Sequence, residues 1–271
     1  MKGRGVRGLF LVLLGLALLG CKSSTAGEQA QRAVETVRVA SASDLKFALD
    51  ELSAEFRKAH PAIELEITYG SSGNFYAQLS QRAPFDVFFS ADLSYPERLV
   101  QAGLGVPDTQ FKYGVGRIVI WVPKGSPVDP QRLGIAALNE PAVRKIAIAN
   151  PEHAPYGKAA VSAMQKLGVY DDVKDKLVLG ENISQTAQFV ESGSADAGII
   201  AMSLALAPAM KEKGRYWEVP LDTYPRLVQG GVVMSWAKHP KAARELRAFV
   251  LSGAGKRILK KFGFYEAEGP D

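Results

Sequence analysis

The sequence is poor in the residues that build metal and disulfide sites. Its 271 residues include one cysteine, Cys21, and three histidines, His60, His153 and His239. A single cysteine cannot form an intrachain disulfide or a multi-thiolate metal site. No two histidines lie within four residues of each other, so a local motif such as H-E-x-x-H is absent. We therefore expect no disulfide framework and neither a multi-thiolate nor a local histidine metal site; no cofactor is expected either.

The chain also lacks an excess of charge of one sign. It has 33 basic and 28 acidic residues, a net charge of +5, and no run of five like charges. Basic residues are not interleaved with aromatic ones either, so nucleic acid is not expected as a partner. With 47% hydrophobic and 23% charged residues, the composition is that of a soluble globular protein rather than a disordered or collagen-like chain.

Long hydrophobic runs are missing as well. The longest, residues 9–19, has 11 residues, whereas a membrane-spanning helix needs about 20. A segment containing Lys2, Arg4 and Arg7 precedes this run, which is the pattern of a secretory signal peptide. Without those three residues the chain has 30 basic and 28 acidic residues, so the net charge falls to +2.

The apolar run ends in Leu-Leu-Gly-Cys at 18–21, followed by a small, polar segment. These four residues resemble a bacterial lipobox, in which the cysteine becomes the lipidated first residue. We interpret residues 1–20 as a lipoprotein signal peptide, Cys21 as the lipidation site and residues 21–35 as a tether. The protein is then expected outside the cytoplasm, anchored to a membrane by lipid. The alternative is an ordinary cleavage site with a chance cysteine.

Beyond the tether, short β-branched runs alternate with helical periods. The runs with strand character are 37–40, 63–69, 85–90, 118–122, 146–149, 177–179, 197–200 and 231–235. Helical periods cover about 44–59, 74–81, 94–102, 157–167 and 184–192, with a last helix around 243–250. This alternation predicts an α/β fold with mostly parallel sheets covered by helices. The two successive sets of elements suggest two lobes with a cleft between them.

Three loops carry small hydroxyl or glycine residues where a strand ends and a helix begins. They are residues 40–44, 69–74 and 150–157. Helix N-termini have free N–H groups and a partial positive charge, and they bind anions without a charged side chain. Ser43 and Ser72 stand at the expected N-cap positions, where a hydroxyl either caps the helix or donates to a ligand. Since ligands bind at the carboxyl ends of parallel strands, the loops together predict a site for a small oxyanion.

Enzyme motifs are weak by comparison. Gly-Ser-Ser-Gly at 70–73 is one residue shorter than the G-x-S-x-G elbow. A serine nucleophile needs a histidine held by a carboxylate, and His153 only follows Glu152 in a turn. Gly-Val-Gly at 114–116 lacks a third glycine and precedes a strand, so it does not indicate a dinucleotide site. We expect no enzymatic activity; a serine hydrolase is the alternative from another class.

From about residue 36 to residue 264 the sequence resembles the molybdate-binding proteins (ModA family) of bacterial ABC importers, which are type II periplasmic binding proteins. The segments that carry the resemblance are Ala-Ser-Asp-Leu at 42–45, Gly-Ser-Ser-Gly at 70–73, Phe-Asp-Val-Phe-Phe-Ser-Ala-Asp at 85–92, Asn-Pro-Glu-His-Ala-Pro-Tyr-Gly at 150–157, Ser-Ala-Asp-Ala-Gly-Ile-Ile-Ala at 194–201, Tyr-Pro-Arg-Leu-Val-Gln-Gly at 224–230 and Phe-Gly-Phe at 262–264. Their specificity lies in their joint presence and order.

The resemblance implies a two-lobed fold with the ligand cleft between lobes that are joined by two crossings, near Gly116 and near Tyr224. Lobe 1 would comprise residues 36–116 and 225–271, and lobe 2 residues 117–224. It also implies a function: capture of molybdate, and of tungstate as well, and delivery to an ABC permease and its ATPase. We expect the protein to be a monomer.

The resemblance further implies which groups hold the oxyanion. Lobe 1 would supply the Ser43 hydroxyl, the Asp44 amide and the Ser72 hydroxyl. The amides of Tyr156 and Ile183 would close on the ligand from lobe 2. All of these are hydroxyl or N–H donors, so the bound molybdenum would have no direct bond to the protein.

Two positions depart from the family pattern. Ala201 stands where some members place a tyrosine hydroxyl on the ligand, and Asp44 stands where other members have asparagine. A carboxylate repels a dianion unless it caps the helix start, but it can accept a proton from HPO₄²⁻. A phosphate- or sulfate-binding protein of the same fold is therefore the alternative. We favour molybdate because the Asp44 amide can bind the ligand while its side chain turns away.

Overall fold

Two five-stranded sheets form the frame of the protein, whose computed structural model describes residues 34–266. The interpreted signal peptide, the lipidation site Cys21 and the tether up to residue 33 lie outside the described residues. Within residues 34–266, no helix is both long and apolar enough to cross a bilayer.

The first sheet has the strand order β2-β1-β3-β10-β4. Its strands are β1 (Glu35–Ala42), β2 (Ile63–Gly70), β3 (Val87–Ser90), β4 (Phe111–Gly116) and β10 (Leu227–Val233). Strand β1 pairs in parallel with β2 and β3, whereas β10 pairs antiparallel with β3 and β4.

The second sheet repeats this plan in the order β7-β6-β8-β5-β9. Its strands are β5 (Ile118–Pro123), β6 (Ile146–Ala149), β7 (Leu177–Gly180), β8 (Ala197–Ala201) and β9 (Gly214–Glu218). Strand β6 is parallel to β7 and β8, whereas β5 is antiparallel to β8 and β9.

The expectation of mostly parallel sheets is therefore wrong for half of the strand pairings, and the path of the chain explains why. The chain leaves the first sheet at the end of β4 and enters β5 after one residue, Arg117; it returns from β9 to β10 through residues 219–226. The parallel strands point their carboxyl ends at the space between the sheets. A strand that enters a sheet from that space must run away from it, so β5 and β10 are antiparallel to their neighbours.

Helices cover both sheets. They are α1 (Lys46–Ala59), α2 (Ser72–Ser80), α3 (Ser94–Gln101), α4 (Pro130–Leu133), α5 (Pro155–Lys166), α6 (Tyr170–Val173), α7 (Ile183–Glu191), α8 (Met202–Ala205), α9 (Pro208–Lys211), α10 (Pro240–Leu251) and α11 (Gly253–Lys261). A 3₁₀ turn, Ser43–Leu45, joins β1 to α1. The buried face of α1 consists of Ala48, Leu49, Leu52 and Phe56, the helical spacing found in the sequence.

Apolar clusters lie on both faces of the first sheet. Phe88 and Phe89 are consecutive in β3 but enter different clusters, because side chains alternate across a strand. Another cluster surrounds the second sheet and includes the fully buried Trp121. Burial of both faces is typical of sheets built around parallel strands.

The two crossings lie side by side. Arg117, in the first crossing, pairs with Glu218 at the end of β9, and its guanidinium lies 3.8 Å from the ring centre of Tyr265. The Tyr224 hydroxyl in the second crossing accepts a 3.4 Å hydrogen bond from the Ile118 amide at the start of β5. The loops at the carboxyl ends of the parallel strands consequently face each other across a narrow space.

The packing of α1 yields a stability prediction. Leu49 is completely buried, so Leu49→Ala should lower the free energy of unfolding by about 2–5 kcal/mol through lost burial and the cavity left behind. Leu179→Ala is the matched control, because Leu179 in β7 is 50% exposed and should change stability by less than about 0.5 kcal/mol. Urea denaturation followed by circular dichroism measures both; equal losses would contradict the assigned core.

Candidate functional site

A small, partly open space lies where the loops of the two sheets meet. The residues that line it are Ala42, Ser43, Asp44, Gly70, Ser71, Ser72, Ala91, Ala154, Pro155, Tyr156 and Ile183. The structure thus brings together all five residues that the sequence marked as candidates. Among these lining residues none is lysine, arginine or histidine, and Asp44 supplies the only carboxylate.

Three helices begin at this space. Ser72 and Ile183 are the first residues of α2 and α7, and Tyr156 is the second residue of α5. The first four N–H groups of an α-helix have no acceptor within the helix, and they carry the positive end of its dipole. The space therefore offers a positive potential that arises from backbone groups rather than from cationic side chains.

The hydroxyl of Ser72 is placed as a hydrogen-bond donor to this space. Its Oγ accepts a 2.9 Å hydrogen bond from the Ala91 amide, which leaves the hydroxyl hydrogen available. The expectation that Ser72 is an N-cap is wrong, because α2 begins at Ser72, two residues before the start that its apolar period indicates. Ser71 is the N-cap: its backbone is extended and its Oγ accepts from the Asn74 amide at 3.4 Å.

Ser43 is not an N-cap either, since the residue before the 3₁₀ turn is Ala42 and no side chain caps that turn. Its hydroxyl instead reaches the second sheet. Ser43 Oγ donates to Asn182 Oδ1 at 3.0 Å and accepts from the Ser184 amide at 3.3 Å. Ser184 Oγ in turn donates to the Ser43 carbonyl at 2.8 Å, so the first loop is bound to the start of α7.

Further hydrogen bonds close the space at its rim. The Gly73 amide donates to the His153 carbonyl at 2.9 Å, and Ser71 Oγ lies 2.9 Å from His153 Nδ1. Asn74 Nδ2 donates to Glu181 Oε1, and His153 Nε2 is 3.7 Å from Glu181 Oε2. These contacts join the loop after β2 to the loops after β6 and β7.

A buried polar cluster, formed by Asp44, Tyr156 and Gln229, lies at the back of the space. Asp44 Oδ2 accepts hydrogen bonds from the Tyr156 hydroxyl at 2.9 Å and from Gln229 Nε2 at 2.7 Å. Gln229 Nε2 also donates to the Tyr156 hydroxyl oxygen at 2.9 Å. Among the described residues, Asp44 Oδ1 and Gln229 Oε1 have no hydrogen-bond partner although both are buried.

The chain matches a known protein family over nearly all of its described length. The family model described as "Bacterial extracellular solute-binding protein" matches residues 37–265. The chain belongs to this family.

Several relatives of this solute-binding protein are named as molybdate-binding proteins. The sequence is 39% identical to the molybdate-binding protein ModA of Rhodobacter capsulatus over 72% of this chain and 75% of that protein. It is 34% identical to ModA of Azotobacter vinelandii over 94% and 96% of the two chains. The structure of the Azotobacter vinelandii periplasmic molybdate-binding protein superposes with a TM-score of 0.78 and 32% identity, covering 87% of this chain and 100% of that one. The resemblance and the fold class expected from the sequence are thereby confirmed.

The relatives are binding proteins rather than enzymes, in agreement with the expectation that this solute-binding protein has no catalytic activity. Ser71, His153 and Glu181 lie near one another, yet they do not form a nucleophilic triad. Ser71 Oγ already caps α2, and the 3.7 Å separation of His153 and Glu181 exceeds a hydrogen bond that would orient the ring.

Asp44 contradicts the expectation that its side chain caps the helix start. No side chain caps the turn Ser43–Leu45, and the carboxylate faces the donors of Tyr156 and Gln229 instead. Burial raises the pKa of Asp44 to about 6, although the hydrogen bonds from Gln229 and Tyr156, and less strongly the backbone amides of Asp44 and Leu45, lower it. Burial, followed by the charge of Asp44, raises the pKa of Tyr156 well above its usual value, so its hydroxyl remains a donor.

The buried polar cluster depends on a glycine at the first crossing. A Cβ added to Gly116 would lie 2.2 Å from the Tyr156 hydroxyl and 2.5 Å from Gln229 Nε2. The sequence reasoning missed Gln229, as it missed the contacts of Asn182 and Ser184 with the first loop. One signal for Gln229 is present: it is the polar residue within an otherwise apolar strand, β10.

The raised pKa of Asp44 predicts how stability depends on pH. The folded protein binds the Asp44 proton more tightly than the unfolded chain, so stability should fall as pH rises from about 4 through 6. Asp44→Asn removes this pH-dependent loss. Its free energy of unfolding should exceed that of the wild type by up to about 3 kcal/mol at pH 8 and by little at pH 4. Urea denaturation at both pH values measures the difference.

Asp172→Asn serves as the control, because Asp172 is an exposed carboxylate of α6. Its stability should follow that of the wild type at each pH. If Asp44→Asn also followed the wild type at each pH, Asp44 would not be a buried carboxylate with a raised pKa.

Proposed function

We propose that this chain is the molybdate-binding component of an ABC importer and that it holds the oxyanion in the space between its two sheets. The observation that carries the proposal is the convergence of three helix N-termini and two serine hydroxyls on a space lined by no cationic side chain. Neutral donors of this kind suit a small tetrahedral dianion. The molybdate-binding names of the relatives support molybdate as the cargo.

Five groups are proposed to bind the oxyanion: the hydroxyls of Ser43 and Ser72 and the amides of Asp44, Tyr156 and Ile183. The Ser72 hydrogen is free because its oxygen already accepts from Ala91. The Ser43 hydroxyl can turn from Asn182 to the ligand without leaving an unsatisfied partner. Asn182 Oδ1 still accepts from the amides at the start of α7, those of Ser184 and Gln185, at 3.0 and 3.1 Å.

The mechanism we propose is closure of two lobes about the crossings, with residues 36–116 and 225–271 as lobe 1 and 117–224 as lobe 2. The hydrogen bonds of Ser43 and Asp44 to α7, α5 and α8 hold the closed form. Closure excludes water, which strengthens each donor in the low local dielectric. A hydrogen bond to a charged group contributes about 1.5–3 kcal/mol, so five of them support tight binding.

Tungstate is expected to bind as molybdate does, because both are tetrahedral dianions that need only hydrogen-bond donors. Ala201 supplies no side-chain donor at the end of β8, so the five groups above would carry the binding. One observation favours phosphate as a second candidate. The unpartnered Asp44 Oδ1 is an acceptor for the proton of HPO₄²⁻, which sulfate and molybdate lack at neutral pH.

Substitution of the serines tests the site. Ser72→Ala and Ser43→Ala should each weaken molybdate binding by about 10- to 150-fold, the loss of one charge-assisted hydrogen bond, and leave the fold intact. Isothermal titration calorimetry with molybdate, tungstate, sulfate and phosphate measures affinity and selectivity. Ser192→Ala is the control, since Ser192 is exposed at the end of α7. Unchanged affinity in both site variants would refute the site. If the wild type bound phosphate but none of the other anions, phosphate rather than molybdate would be the cargo.

The remaining parts of the proposal concern the membrane. Lipid on Cys21 would anchor the domain outside the cytoplasm, and the loaded monomer would deliver its oxyanion to the permease and ATPase of the importer. Membership of an extracellular solute-binding family supports the location. The lipobox-like segment 18–21 supports the anchor.

Cys21→Ser tests the anchor. The full chain expressed in a bacterium should enter the detergent phase on phase separation, whereas Cys21→Ser should stay in the aqueous phase or remain unprocessed, because the acylated thiol is gone. Ser24→Ala, three residues further along, should behave as the wild type. A wild-type chain found only in the aqueous phase would exclude lipidation.

A further inference from the structure

Asp44 presents an electrostatic problem for any dianion bound in this space. Its side chain belongs to a residue that is 1% exposed, and among the described residues Oδ1 has no hydrogen-bond partner. None of the lining residues is cationic. An ionised Asp44 beside a dianion would place three negative charges in one water-excluded site, which electrostatics strongly disfavours.

The elements packed around Asp44 offer it no positive charge. Tyr156 of α5 and Gln229 of β10 donate to Oδ2, and Ser203 of α8 donates to the Asp44 carbonyl at 2.7 Å. Tyr113 of β4 is the other titratable group that senses Asp44; burial and then the Asp44 charge raise its pKa well above the usual value. Both tyrosines are therefore neutral and cannot balance a carboxylate.

The remaining titratable groups near the space lie at its rim. His153 contacts Ser71, and Glu181 contacts Asn74 and His153. Within residues 34–266, neither makes a hydrogen bond or an ion pair with Asp44, so a compensating charge has to come from the solvent. The smallest such charge is a proton.

We propose that Asp44 takes up one proton when the cleft closes on a fully deprotonated oxyanion, and that it thereby sets the pH range and the anion preference of the site. This inference rests on the proposed function. Both oxygens of the buried carboxyl would then have a role. Oδ2 keeps its hydrogen bonds from Tyr156 and Gln229, and a proton on Oδ1 turns an unpartnered acceptor into a donor.

Burial alone supports this direction, since it already raises the pKa of Asp44 to about 6. A dianion in the same space raises the pKa of Asp44 further. Around neutral pH the open form is therefore ionised and the loaded form protonated. An anion that carries its own proton, such as HPO₄²⁻, can instead donate to the ionised carboxylate, so it needs no uptake.

Calorimetry of the full domain with sodium molybdate tests the inference. Titrations at pH 6.5 in two buffers of different ionisation enthalpy report the number of protons taken up per ligand. The wild type should take up about one proton, and its affinity should fall by up to about tenfold per pH unit between the pKa values of the Asp44 carboxyl in the free and in the loaded protein. Asp44→Asn should bind with almost no uptake and little pH dependence. Asp172→Asn, with its exposed carboxylate, should match the wild type.

Each outcome separates this inference from the proposed function. Molybdate binding by the wild type without proton uptake would overturn the role of Asp44 and leave the function standing. Uptake that persists in Asp44→Asn would assign the proton to another group, such as His153, and would also overturn it. Absence of molybdate binding in the wild type would refute both.

A measurement on the wild type alone covers the case in which Asp44→Asn does not fold. The infrared difference spectrum between the loaded and the free protein should show the band of a protonated carboxyl group appearing, with loss of carboxylate absorption. A spectrum without that band, recorded at saturating molybdate, would overturn the inference.

Discussion

The hydrogen bonds between Asp44, Tyr156 and Gln229 are the constraint on which the contact between the two halves of the fold depends. Tyr156 belongs to a helix of the second sheet, whereas Asp44 and Gln229 belong to the first. All three side chains are buried, so each polar atom left without a partner costs free energy. The bonds can form only where the sheets approach closely, and Gly116 permits that approach at the crossing.

The same crossing decides the architecture of both sheets. Because the chain passes between the sheets at their facing edges, each entering strand must run away from the cleft. The remaining strands run toward it, and each is followed by a loop and in most cases a helix. The N-termini of α2, α5 and α7 therefore meet around one space because of the strand directions, and no charged side chain is needed to bring them together. The proposed anion site therefore follows from topology before any particular side chain is considered.

Local pattern in the sequence was sufficient for elements with a strong period. Strand β6 was predicted with the bounds that it has, and α1 was predicted with its buried face. Strand β9 was missed because every residue in it is half-buried, so it shows neither alternation nor an apolar run. Strand β4 was missed because its two glycines weaken the strand signal.

The candidate site divides in the same way. The three loops were recognisable because helix starts and hydroxyl residues leave a local signature. The partners of those loops were not recognisable, because they are distant in the sequence. Ser43 contacts Asn182, and Asp44 contacts Gln229, and each pair is separated by more than a hundred residues. The direction of the Asp44 side chain was predicted wrongly for the same reason. Helix capping is a local preference of aspartate. Here the hydrogen bonds from two distant residues, Tyr156 and Gln229, outweigh it.

A carboxyl group is compatible with a site for anions when it is protonated, because it is then neutral and does not repel a bound dianion. The backbone donors are permanent, so they fix the affinity for any tetrahedral dianion of the right size. A side chain that exchanges one proton with solvent is the component that can respond to the anion's own protonation state. Asparagine at position 44 would keep the hydrogen-bonding shape without this response. In the site that we propose, aspartate therefore bears on selectivity and pH range, whereas the helix N-termini provide the binding itself.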